Sequence, residues 1–181
     1  MTVTETKLKG CFVVEPKVFT DIRGYFFESF NQNKFSELIG RQIKFVQDNE
    51  SFSSKGVLRG LHFQTGAYAQ AKLVRTVKGR VLDVVVDMRK ESPTFSKHFS
   101  IELSEDNKRQ LFVPRGFAHG FIVLSETAIF SYKCDNFYNK ESEQGLRYDD
   151  PTLGIDWKLP TSEFIVSVKD LVLPKLSNIT L

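Results

Sequence analysis

The chain has 181 residues, 41% hydrophobic and 13% aromatic, which excludes an intrinsically disordered chain and leaves room for a sizeable core in one domain, 1–181. With 25 basic and 22 acidic residues the formal charge is +3, and no run of five like charges occurs; both argue against a nucleic-acid binder. No uncharged apolar run approaches 18 residues, and the opening MTVTETKLKG has no apolar leader core, so neither a membrane span nor a signal peptide is expected.

Seventeen phenylalanines, with many Val, Ile and Thr, lean the chain toward strands. Cys11 to Val14 reads as a short strand closed by Pro16. Phe19 to Phe30 reads as a turn at Arg23–Gly24 followed by an aromatic strand. Asn31 is a helix cap, and Phe35, Leu38 and Ile39 give the following helix its apolar face. A short apolar piece, Ile43 to Val46, leads into Gln47–Asp48–Asn49. GVLRGLHFQ, Gly56 to Gln64, is a strand with a glycine at each break, carrying one arginine and one histidine.

Strand follows strand from Lys72. Lys72 to Val77 ends at the turn Lys78–Gly79, and in the next strand Leu82, Val84, Val86 and Met88 alternate with Asp83 and Asp87. Phe99, Ile101 and Leu103 alternate with polar residues; Leu111 to Val113, Phe117 to Leu124 and Ala128 to Cys134 complete the series. Short strands at this spacing predict an all-β jelly-roll sandwich or barrel with a few short peripheral helices, one or two of them in the irregular tail beyond Pro151. Cys11 and Cys134 are far apart in apolar contexts and suit a reducing cytoplasm.

Histidines on a small barrel raise the question of a metal. The three, His62, His98 and His119, include no pair two residues apart on one strand, so metal-free acid–base chemistry is the better reading. Near neutrality a histidine both takes and gives protons.

The runs FTDIRGYFFESF, GVLRGLHFQ, YAQAKLVRTVKGRVLDVVVDMR, FVPRGFAHGF and SVKD, in this order, resemble the dTDP-4-dehydrorhamnose 3,5-epimerase family over nearly the whole chain. The resemblance implies a cupin-like jelly roll, a homodimer and a cytoplasmic enzyme of rhamnose synthesis, without metal or cofactor, that inverts the two carbons flanking a 4-keto group. It implies His62 as base paired with Asp170, and Tyr132 as acid; Lys72 is the candidate to stabilise the enolate. It further implies Arg23, Arg59, His119 and Tyr138 as substrate-binding residues, with Glu28, Phe26, Gln47 and Asn49 reading or lining the nucleotide.

Taken singly, several of these have plainer roles: Arg23 a solvated turn residue, Lys72 a strand-edge charge, Tyr138 a surface aromatic, Asp170 a helix-start residue after Ser167. Two alternatives stand beside this function: a single-carbon epimerase of a related deoxysugar, which the same base and acid serve, and a non-catalytic sugar-nucleotide-binding or metal-bearing cupin. A binding module has no need of His62, Tyr132 and Asp170 together. Where the family often has prolines after LHFQ, this chain has Thr65–Gly66–Ala67–Tyr68, predicting a more mobile loop. Strand periodicity also puts Arg59 and His62 on opposite faces. If both serve one cavity, the strand bulges, most simply at Gly60; if not, Arg59 serves another part of the site, or a partner subunit.

Overall fold

The computed structural model describes residues 1–179. The first elements are β1 (Thr2–Glu5), β2 (Phe12–Glu15), β3 (Val18–Asp21), β4 (Gly24–Phe27), α1 (Gln32–Ile39) and β5 (Gln47–Ser54). Next come β6 (Val57–Gln64), β7 (Lys72–Lys78), β8 (Arg80–Asp87), β9 (His98–Ser104) and β10 (Gln110–Val113). The chain closes with β11 (Phe117–Val123), β12 (Thr127–Cys134), β13 (Glu143–Gly145), β14 (Ile165–Val166) and α2 (Val168–Leu171).

Two six-stranded layers face each other, in the predicted jelly-roll manner. One runs β1-β2-β10-β7-β12-β5; the other runs β13-β6-β11-β8-β9, with β14 beside β6. Between them lies a core that includes Val74, Val81, Val85, Leu111, Phe121 and Phe130. Both outer faces are covered as well. The tail folds Leu146, Leu153 and Trp157 over Leu82, Val84 and Val86, and α1 lays Phe35 and Ile39 over Leu73 and Phe112. Helix α1 forms where expected: Asn31 Oδ1 accepts from the Lys34 N–H at 3.1 Å, and Gly40 ends it in the left-handed region. Burying Phe35 completely contributes roughly 2–3 kcal/mol.

Coverage on both faces buries the whole of β8: Asp83 and Asp87, which alternate with its apolar residues, are both fully buried and face inward with Val81 and Val85. Asp87 accepts from the Arg89 guanidinium, Ser92 and Thr94, at 2.8, 2.6 and 2.7 Å. Burial pushes its carboxyl up, but those donors outweigh burial and leave it lowered to about 2. The polar run QDNESFSS, which follows the apolar piece Ile43 to Val46, is the edge strand β5. The turn at Arg23–Gly24 joins β3 and β4 into a separate two-stranded hairpin.

Candidate active site

The strand β6 bulges between Arg59 and His62. His62 pairs with His119 and Arg59 with Phe121, so Gly60 and Leu61 together face Gly120 alone. Gly60 has φ +125°, and a Cβ there would sit 2.6 Å from Gly120 Cα and 2.8 Å from the His119 carbonyl oxygen. The bulge turns Arg59 and His62 into one cavity of about 520 Å³, between the sheets. Arg59 spans to the facing layer, its Nε donating to Ser53 Oγ at 3.1 Å.

Three of the expected reacting groups line this cavity with His62: Asp170, Tyr132 and Lys72. His62 Nε2 lies 2.6 Å from Asp170 Oδ1, and the Gly60 N–H donates to the other carboxylate oxygen at 3.2 Å. Ser167 caps α2 through the Asp170 N–H, so the plainer role of Asp170 as a helix-start residue and its contact with His62 coexist. Burial pushes the Asp170 carboxyl up, but the His62 ring, the Gly60 N–H and Ser167 outweigh it and hold it below its ordinary value. A charged carboxylate on Nε2 fixes that proton there and leaves Nδ1 free to accept another.

Tyr132 stands on the opposite layer, on β12. Burial raises its phenol, which therefore stays protonated at neutral pH. Lys72, on β7, holds its ammonium 5.9 Å from the Tyr132 ring centre and has no ion pair among the described residues. Burial pushes its pKa down, against the opposing pull of Cys134, Asp83 and Glu143. A base on one wall, a phenol on the other and an unpaired cation beside the phenol form the equipment for moving protons on and off carbon.

A second hollow, of about 310 Å³, shares His62, Lys72 and Tyr132 and extends to Gln47, Asn49 and Tyr138. Tyr138 donates its backbone N–H to Gln47 Oε1 at 3.1 Å, and Gln47 Nε2 donates to Asn49 Oδ1 at 3.1 Å. The Tyr138 hydroxyl and Lys169 Nζ both donate to Glu143, at 2.9 and 2.6 Å. Glu143 and Lys169 were missed in the sequence; Lys169 stands beside Asp170 in SVKD, whereas nothing local marks Glu143. His119 also faces the main cavity, its Nε2 on Asp83 Oδ2 at 2.9 Å. The loop Thr65–Tyr68 is tied down without prolines: Gln64 Nε2 donates to the Tyr68 carbonyl and Asn136 Nδ2 to that of Ala67.

Arg23, Phe26 and Glu28 are not brought into these hollows. Arg23 is 85% exposed and paired with Asp21; Phe26 points to solvent on the hairpin; Glu28 accepts from Lys34 and Asn31. Among the described residues no three His, Cys, Asp or Glu side chains are grouped as a metal ion requires.

Comparison with known proteins meets this geometry. A family model described as dTDP-4-dehydrorhamnose 3,5-epimerase matches residues 5–178. The dTDP-4-dehydrorhamnose 3,5-epimerase of Shigella flexneri is 54% identical over 171 residues, 94% of this chain and 93% of the relative. The crystal structure of the same enzyme from Elizabethkingia anophelis superposes with a TM-score of 0.95 at 58% identity, covering 98% of this chain and 97% of that one. The dTDP-6-deoxy-D-glucose-3,5-epimerase of Legionella pneumophila, solved with dTDP-4-keto-L-rhamnose bound, has a TM-score of 0.95 at 46% identity, with 99% and 94% covered. In sequence and in fold alike, the chain belongs to the dTDP-4-dehydrorhamnose 3,5-epimerase family.

Proposed function

We propose that the protein converts dTDP-4-dehydro-6-deoxy-D-glucose to dTDP-4-dehydro-L-rhamnose by proton transfer at both carbons beside the ketone. His62 Nδ1 removes the proton from the ring carbon, and its charge is balanced by Asp170. The electron pair moves onto the carbonyl oxygen, where the Lys72 ammonium offsets the developing negative charge. Tyr132 then delivers a proton to the opposite face of the same carbon, and both groups return to their starting states through solvent. The cycle repeats at the second carbon. A proton donor or acceptor of this kind contributes about 10²–10⁴-fold each. The observation that carries this reading is that His62 and Tyr132, on opposite layers, open into one cavity.

Arg59 supplies a guanidinium fork suited to the diphosphate, and Tyr138 with Gln47 and Asn49 forms the wall for the base. Arg23, Phe26 and Glu28 fit the same function only across a subunit boundary. The hairpin that carries Arg23 and Phe26 exposes Phe19, Ile22, Tyr25 and Phe26, and β5 leaves one edge unpaired. A homodimer in which each hairpin closes the other subunit's nucleotide hollow accounts for both. Two buried free thiols, Cys11 and Cys134, support a reducing, cytoplasmic setting.

Incubation of the purified protein with the 4-keto sugar nucleotide, followed by proton NMR, tests the reading. It expects the L-rhamno product; a product inverted at one carbon assigns the single-carbon reaction, and recovery of unchanged sugar with no exchange at either carbon leaves a binding protein.

A further inference from the structure

The site holds a second histidine–aspartate pair, and its aspartate is the most deeply buried charge-bearing group beside the cavity. Asp83 is fully buried; one oxygen takes the 2.9 Å bond from His119 Nε2, and the other, Oδ1, has no hydrogen-bond partner among the described residues. It occupies an inward position of β8 between Val81 and Val85, where a valine would pack without leaving a buried oxygen unsatisfied. An unsatisfied buried carboxylate oxygen costs folding free energy. Folding therefore gives no reason for an aspartate here, and the contact with His119 does.

His119 is the direct cross-strand neighbour of His62, lies 7% exposed in the cavity wall, and stacks its ring on Phe130 at 6.1 Å. With Nε2 committed to Asp83, Nδ1 has no hydrogen-bond partner among the described residues. We infer that Asp83 is a positioning residue: it fixes His119 as the neutral Nε2–H tautomer, so that Nδ1 presents a lone pair to a hydroxyl of the sugar held against His62. The inference rests on the keto-sugar reading for the identity of that hydroxyl, but the tautomer does not. The two imidazoles then do different work side by side, one exchanging protons with carbon and the other holding the ring in register by accepting a hydrogen bond.

The substitution Asp83→Asn is nearly isosteric and tests this. The amide carries no charge to hold the proton on Nε2, and where its NH2 turns to that nitrogen the His119 proton moves to Nδ1 and an acceptor becomes a donor. The expected result is a loss of roughly 10- to 100-fold in kcat/KM, as for other buried partners that orient a histidine, carried largely by KM, with dTDP binding within twofold of wild type. Independently, long-range nitrogen-15 NMR on the unliganded wild-type protein expects the Nε2–H form of His119, and it needs no variant to fold. Wild-type turnover with a kcat/KM for Asp83→Asn within twofold overturns the inference and leaves the epimerase intact. So does a His119 ring protonated at Nδ1. A wild-type protein that does not turn over the keto sugar instead overturns the reading it rests on, whatever the tautomer.

Discussion

Asp170 can be exchanged for asparagine with almost no change in shape, which isolates what its charge does. In the native site one carboxylate oxygen takes the 2.6 Å bond from His62 Nε2 and the other takes the Gly60 N–H. Asparagine keeps only one of those acceptors. If its oxygen stays on Gly60, its amide group donates to Nε2; the His62 proton then moves to Nδ1, and the base is lost. If its oxygen stays on His62, two donors confront each other at Gly60 in a site 4% exposed, at a cost of about 1–3 kcal/mol. The first arrangement avoids that clash, so the expected effect is the worth of a general base, about 10²–10⁴-fold in kcat/KM, or roughly 3–5 kcal/mol on the barrier. The assay is conversion of the 4-keto sugar nucleotide followed by NMR, with dTDP affinity measured by calorimetry as the control. Activity within fivefold of wild type, or dTDP affinity that falls in step with activity, would refute the assignment of Asp170 to the base.

Tyr132→Phe separates the two proton carriers: inversion should fall about 10²–10⁴-fold while His62 still exchanges the carbon-bound hydrogen with solvent, read as deuterium uptake without epimerisation. Loss of both together would argue against distinct roles. Gly60→Ala forces a Cβ to 2.6 Å from Gly120 Cα, backbone against backbone, and should cost roughly 2–4 kcal/mol in urea unfolding while also disrupting the Arg59–His62 alignment. A variant with native stability and turnover would contradict the bulge. Asp87 carries a pH signature, since its folded carboxyl lies at about 2 against an ordinary 3.8. A depressed carboxyl stabilises the fold above pH ~4 and loses that contribution as pH falls through ~2, a difference of about 2 kcal/mol. Asp87→Asn should therefore be less stable by about that amount at pH 7, with the gap to wild type closing in acid unfolding curves near pH 2; a gap independent of pH would sink the assignment.

Much of the fold is legible because local chemistry and tertiary need agree. Asn31 and Gly40 bracket α1 by their own side-chain and backbone preferences, and Phe99, Ile101 and Leu103, the alternate apolar residues of β9, all pack against the inner core. What escaped the sequence escaped for physical reasons. Strand β5 turns Gln47, Asn49, Ser51 and Ser53 toward the interior and Asp48, Glu50 and Phe52 outward, so no apolar period marks it. A strand whose inner face is polar is one whose inner face serves a ligand, and local rules fail where function overrides them. The burial of Asp83 and Asp87 could not be read from their alternation with apolar residues, because it depends on which strands cover β8. The bulge at Gly60, by contrast, was deducible, since two polar side chains three residues apart can enter one cavity only if the strand gains a residue between them. Glu143 was not: its importance comes from Tyr138 and Lys169 meeting it in space.

The most direct test is to run the reaction in deuterium oxide with wild type and His62→Asn side by side. Wild type should place solvent deuterium at both ring carbons next to the ketone, and His62→Asn at neither, with dTDP affinity unchanged. Deuterium uptake that survives removal of the imidazole would mean that another group takes the carbon-bound proton, and the account of this cavity would have to be abandoned.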